Sequence, residues 1–195
     1  MARVARPKRP SRSWPLRDRL LARFARAERG ATTIEFAFVA IPFLLLIFAI
    51  IELGLVFLVS VTLENAVIDS ARTIRTGEVQ TGGGTANTFK AALCTRMSWV
   101  GASCTTALTV DVRTFSGFST TGAALSSNRP ASPCWDPGGP GSVVLVRAYY
   151  NWPLLTPLLQ TGLQSAGGKR LITAASAFSN EPYSDTPAAT VTCPA

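Results

Sequence analysis

Polar and apolar positions divide the chain into two very different parts. From Phe36 to Ile51 sixteen consecutive residues carry no charge; Glu52 interrupts, and Leu53 to Leu63 continues without charge. A membrane-spanning helix needs about 20 mainly apolar residues, whereas a secretory signal has an apolar region of about 7–15 followed by a small-residue cleavage site. The run therefore predicts a single membrane helix rather than a removed signal or a buried core helix. Apolar character persists beyond it at Val61, Leu63, Ala66, Val67, Ala71 and Ile74, near helical spacing, while Glu64, Asp69, Arg72 and Arg75 fill the other face. The helix is expected to run from Ala31 and to stop at Gly77. Residues 31 to 76 would extend about 69 Å at about 1.5 Å per residue, of which about 30 Å is hydrocarbon. The remainder is an amphipathic rod that needs a surface to cover it. Pro42 lies inside the span and removes one backbone hydrogen bond, so a kink or local loosening is expected there.

The second part alternates over shorter distances. Gly82-Gly83-Gly84 reads as a loop, and without the Lys-Ser/Thr of a P-loop it is no phosphate cradle. Thr85 to Val100 suits a second helix. Leu108 to Phe115 alternates, with Leu108, Val110 and Val112 on one side and Asp111 and Arg113 on the other, as in a half-buried strand. Residues 116 to 142, rich in Gly, Ser and Pro, read as a long loop pinned by Cys134. Ser142 to Trp152 is apolar on nearly both faces, as a central strand is, and ends at Pro153. A helical turn is expected over Leu154 to Leu163 and a third strand over Lys169 to Ser179. The fold class is α+β: a long N-terminal helix packed on a small antiparallel sheet, each burying the other's apolar face. The expected organisation is a leader over residues 1–30, the helix over 31–77 and an extracytoplasmic α+β domain over 78–195.

Charge changes the picture at the N-terminus. Residues 1 to 29 hold ten Arg/Lys and two Asp/Glu, a net of +8, and residues 30 to 195 hold nine of each, a net of zero. A basic block directly before an apolar span follows the positive-inside rule, so it sets the N-terminus in the cytoplasm and argues against nucleic acid as a partner. Leu16 to Ala27 is expected to form a basic amphipathic helix on the anionic inner leaflet, with membrane lipid as its partner.

Cysteine usage agrees with export. Cys94, Cys104, Cys134 and Cys193 all follow the span. An even count suggests two disulfides, with three connectivities open; pairing of Cys94 with Cys104 and of Cys134 with Cys193 is the expectation. With no histidine and no C-x-x-C pair, zinc is excluded by the usual spacings. Asp69, Asp111, Asp136 and Asp185 form no acid/base constellation, so no cofactor and no enzymatic activity are expected.

The candidate chemistry sits at the junction Arg29-Gly30-Ala31-Thr32-Thr33-Ile34-Glu35-Phe36. Gly30 offers a peptide bond with no side chain on the residue that would be cut. Glu35 is costly this near hydrocarbon unless partnered, and the new amino group of a cut neighbour in a helix bundle is a natural partner. Thr32-x-x-Glu35 also fits a capping box, with Thr32 as N-cap.

Gly30 to Phe36 resembles the type IVb (Flp-type) prepilin motif: a glycine, four residues, then Glu and an aromatic. Arg29 to Val56 is similar to the start of TadE-like proteins. Val146 to Pro157 (Val-Arg-Ala-Tyr-Tyr-Asn-Trp-Pro-Leu-Leu-Thr-Pro) and Phe178 to Tyr183 (Phe-Ser-Asn-Glu-Pro-Tyr) are similar to segments near the C-terminus of that family. The resemblance implies a minor pilin or pseudopilin of a tight-adherence (Tad) pilus and secretion system, anchored in the bacterial inner membrane. It implies cleavage between Gly30 and Ala31 by a prepilin peptidase, with Glu35 and Phe36 serving assembly. The implied partners are that peptidase, other Tad/Flp pilins and inner-membrane assembly proteins. Ala31 stands where type IVa pilins have phenylalanine, so N-methylation does not carry over. The large outer domain implies a tip or initiating subunit rather than the bulk of a fibre. The alternative is an uncleaved single-pass protein whose ectodomain binds a ligand or partner.

Three further readings concern the rest of the chain. Glu52, seventeen residues after Glu35 and on another face, is expected to reach water at the outer interface or to meet a partner helix, the first being favoured. Tyr149, Tyr150, Trp152 and Tyr183 are expected to be core more than contact surface. Asn180-Glu181-Pro182-Tyr183 is expected to be a structural turn.

Overall fold

The computed structural model of the chain describes residues 28–125, 129–184, 191 and 193. The helix expected over Leu16–Ala27 and the carboxylate Asp185 lie outside the described residues. The chain divides into two units, Met1–Ile47 and Phe48–Ala195. In chain order the elements are α1 (Glu28–Arg75), α2 (Glu78–Thr81), α3 (Ala86–Arg96), a 3-10 turn (Ser98–Val100), α4 (Cys104–Ala107), β1 (Leu108–Phe115), α5 (Phe118–Leu125), β2 (Val143–Pro153), α6 (Pro157–Leu163) and β3 (Lys169–Ser179).

In the first unit the described residues belong to α1, and their apolar side chains are bare: Phe36 is 73% and Phe38 76% exposed. Helix α1 passes through Pro42 without interruption and is helical already at Glu28, the first described residue. Thr32 therefore lies inside it and cannot be its N-cap. The capping-box reading fails because Arg29, Gly30 and Ala31 join the helix instead of preceding it.

The second unit holds the core. The sheet is antiparallel in the order β1-β2-β3, with β2 central. From Val59 onward α1 buries Val59, Leu63, Ala66, Val67, Ser70, Ala71 and Ile74, a stripe at intervals of three and four. The apolar ones share one cluster with Val110, Val112, Val144, Val146, Ala148, Tyr150, Ile172 and Ala174 from the sheet. The apolar rod left over after the span is thus covered by the sheet, and the sheet by the rod. Val61, expected in the stripe, is 37% exposed; Val59 takes that place.

The other face of the sheet is buried as well. Residues 116 to 142 are not all loop, since α5 forms within them and packs against β1 and β3. Trp135 then runs parallel beside Val112 through Val112 N–H to Cys134 C=O and Asp136 N–H to Val112 C=O, both 2.9 Å. Tyr149 is buried on this face, and among the described residues its hydroxyl has no hydrogen-bond partner. Burial pushes its ionisation above the ordinary tyrosine range, so its contribution to stability is lost as pH rises past the unfolded value of 10.0.

The end of α1 is strapped down by the segment 180–183. Gly77 ends the helix with φ +79°, its N–H bonded to Ile74 C=O at 3.1 Å. Glu181 N–H donates to Arg75 C=O at 2.9 Å, and its carboxylate pairs with Arg75 at 3.2 Å. Asn180 Nδ2 donates to the carbonyls of Pro137 (2.9 Å) and Gly139 (3.0 Å). The Tyr183 ring lies over Gly77 so closely that a Cβ there would fall 2.2 Å from it. Gly77→Ala should therefore cost about 1–2 kcal/mol from the left-handed backbone alone and more from displacing Tyr183. Thermal melting in detergent checks this; an unchanged midpoint would show that the strap is not seated on Gly77.

Candidate membrane and assembly site

Glu52 is the first carboxylate to place, because its surroundings differ from those expected. It is 3% exposed. Seven residues before Val59, it falls on the same stripe of α1 that covers the sheet. Its Oε1 accepts from Leu155 N–H at 2.5 Å and its Oε2 from Thr156 N–H at 2.7 Å. Glu52 thus neither reaches water nor awaits a partner helix. Two backbone donors in the turn before α6 satisfy it, and Pro157 at the next position supplies no third. The segment Trp152-Pro153-Leu154-Leu155-Thr156-Pro157 is a receptor for a carboxylate presented by α1.

Asp111 is the second charge in an unexpected place. It is fully buried rather than on a solvent face. Directly across the ladder stands Arg147, whose Nη2 and Nε donate to Asp111 Oδ2 at 2.7 and 3.1 Å. Arg113 Nε donates to Oδ1 at 3.0 Å and the N–H of Cys134 at 2.8 Å. The same arginines reach the long excursion: Arg147 Nη1 donates to Ala124 C=O at 2.7 Å and Arg113 Nη2 to Ser132 C=O at 3.1 Å. The cluster therefore fastens residues 116–142 to the sheet; it is a clasp rather than an acid/base site.

The cysteines bracket the same region. Cys94 on α3 is bonded to Cys104 at the start of α4, and Cys134 to Cys193. A cleft of about 350 Å³ lies beside the strap, lined in part by Gln80, Asp136, Gly138 and Tyr183. Its carboxylate is occupied, since Asp136 accepts from the Thr114 hydroxyl and from Gly138 N–H. Among the described residues no group of three or more Cys, Asp and Glu could hold a metal ion.

The junction residues lie together at the start of α1. Gly30 is half-buried, and Gly30 and Ala31 are both helical. Glu35 and Phe36 are exposed, and Glu35 has no ion pair or hydrogen-bonded side-chain partner among the described residues. From Thr32 to Arg75 the helix is long and apolar enough to cross a membrane, with mean hydropathy 2.9 over its most apolar window. Its length and composition suggest a membrane anchor. The family model described as TadE-like protein matches residues 30–72, from the junction to the last turns of α1. This segment is TadE-like. The TadE-like match contains Glu35 and Glu52, the two carboxylates of the apolar run, and it ends before the sheet. No curated protein and no solved structure matches the chain significantly. A TadE-like segment suggests a protein associated with the Tad pilus.

Buried charge partners were the residues that sequence reasoning missed. A signal for one pair was present: Asp111 on β1 and Arg147, the one charged residue of β2, lie inside apolar stretches and are of opposite sign. Antiparallel pairing of two strands joined by the excursion sets them opposite one another.

Proposed function

We propose that this chain is a membrane-anchored minor pilin or pseudopilin of a Tad pilus, made with its N-terminus in the cytoplasm and its sheet domain outside the inner membrane. The observation that carries this reading is the TadE-like helix itself, whose large apolar side chains are mostly bare from Ile34 to Leu53 while its continuation from Val56 packs against the core of the sheet domain. A bare apolar half suits lipid first and a bundle of like helices afterwards. The net charge of +8 before Gly30 sets the orientation.

Prepilin peptidase cuts between Gly30 and Ala31 in this reading. Because both residues lie in a helical turn, the turn must open for the bond to enter a protease, and glycine lowers the cost of opening by about 1 kcal/mol relative to alanine. The new amino group at Ala31 of one subunit then pairs with Glu35 of its neighbour. That pairing offsets the desolvation of the carboxylate and sets the axial register. Other Tad pilins and the inner-membrane assembly proteins are the partners, and pilus initiation or tip assembly is the role.

The test is piliation. Loss of this chain should reduce or abolish pili, and Glu35→Ala should leave the chain cleaved and membrane-bound but not restore them. Normal piliation with Glu35→Ala would overturn the pairing. One observation favours a second reading, an uncleaved anchor with a binding ectodomain: the Gly30–Ala31 bond is helical, a conformation that resists proteolysis. That reading predicts retention of residues 1–30 and indifference to Glu35.

A further inference from the structure

We infer that the segment from Trp152 to Leu163 is a foot that the sheet domain sets into the outer leaflet of the bilayer, with Leu155 in contact with acyl chains. The inference rests on the reading of α1 as a membrane span.

Depth comes first. The uncharged run Phe36–Ile51 is sixteen residues long, shorter than the roughly 20 that cross the hydrocarbon. The hydrocarbon must therefore extend past Glu52. The neighbours of Glu52 agree, since Ile50, Ile51, Leu53, Phe57 and Leu58 are 46–70% exposed. Glu52 is bonded to Leu155 and Thr156, so those residues share its level, below the outer edge of the apolar core.

The chemistry of the foot suits that depth. Irregular backbone is tolerated in hydrocarbon only if its polar groups are satisfied within the protein. Leu154 N–H donates to Gly168 C=O at 3.0 Å, Leu155 and Thr156 N–H are held by Glu52, and Leu154 C=O accepts from Gln160 Nε2 at 3.1 Å. Among the described residues of the foot, Leu155 presents a large apolar side chain outward, 71% exposed. A turn presented to water has no need of a buried carboxylate to satisfy its N–H groups, nor of a leucine at its tip.

The surroundings complete an interfacial pattern. Trp99, 44% exposed, packs tilted against Trp152 with ring centroids 6.3 Å apart, at the base of the foot. Lys169 and Arg170, both exposed, stand opposite Pro153 and Trp152 on β3. Tryptophans at headgroup level and cations able to meet lipid phosphates mark a membrane interface. The occupant is the phospholipid leaflet itself, with anionic headgroups on Lys169 and Arg170.

Emission of an added indole tests the inference. The full chain is reconstituted in nanodiscs of phosphatidylethanolamine and phosphatidylglycerol, with lipids brominated along the acyl chain as quenchers. Leu155→Trp, at an exposed position, adds an indole without disturbing the core; Leu46→Trp, in the middle of the span, is the control. The added emission of Leu155→Trp should be blue-shifted and lost to lipids brominated near the headgroup more than to those brominated near the chain end. Leu46→Trp should show the opposite order. Red-shifted, unquenched emission from Leu155→Trp beside a quenched control would overturn the foot while leaving the span intact. Blue-shifted emission that bromine does not quench would also overturn it, by placing Leu155 against protein. An unquenched control would instead contradict the span.

Discussion

Asp111→Ala should lower the unfolding free energy of the sheet domain by about 3–5 kcal/mol, because it leaves a buried guanidinium without its counter-charge. Arg147 has nowhere to turn, since its side chain is 5% exposed and the ion pair it loses is the 2.7 Å contact to Asp111. The damage should spread to the excursion, whose Cys134 N–H loses its acceptor and whose Ala124 and Ser132 carbonyls are held by the two arginines. Removing both charges should hurt less than removing one, because well-packed apolar groups can replace a buried pair at little net cost. Chemical denaturation of the detergent-solubilised chain measures this. A single variant within about 1 kcal/mol of the parent would mean that Asp111 is not the counter-charge that holds Arg147.

Glu52→Ala should cost about 2–4 kcal/mol, since it leaves two buried N–H groups without an acceptor at about 1–3 kcal/mol each. Glu52→Gln keeps one acceptor oxygen and loses the charge, so it should fall between the parent and the alanine variant. The local signature is sharper than the global one: amide exchange at Leu155 and Thr156 should accelerate together in the alanine variant, with the centre of β2 unchanged. If both amides stay protected, the carboxylate is not their acceptor.

The two charges that dominate these expectations were the least legible features of the sequence. The strand at 108–115 follows from alternation, that at 169–179 from its run of apolar residues, and the end of α1 at Gly77 from the glycine. Both are local signals, written in a handful of adjacent residues. Glu52 and Asp111 each look, locally, like a polar residue seeking water. Their partners lie 103 and 36 residues away along the chain, so only the assembled tertiary structure reveals that they are satisfied. Helix α5 escaped notice for a related reason: Phe118-Ser-Thr-Thr-Gly-Ala-Ala-Leu125 has weak helix formers at half its positions, and packing against β1 and β3 supports it. At the junction, the sequence placed Gly30, Glu35 and Phe36 on an apolar helix, but a local capping signal suggested the wrong first turn.

The proposed function turns on residues 1–30, because only a chain cut after Gly30 can offer an amino group at Ala31 to Glu35 of a neighbour. Amino-terminal sequencing of the membrane-bound protein, from cells with and without active prepilin peptidase, tests that directly. The account predicts a mature chain beginning Ala31-Thr32-Thr33 where the peptidase is active, and one retaining residues 1–30 where it is not. A chain that keeps residues 1–30 in the presence of active peptidase would contradict it.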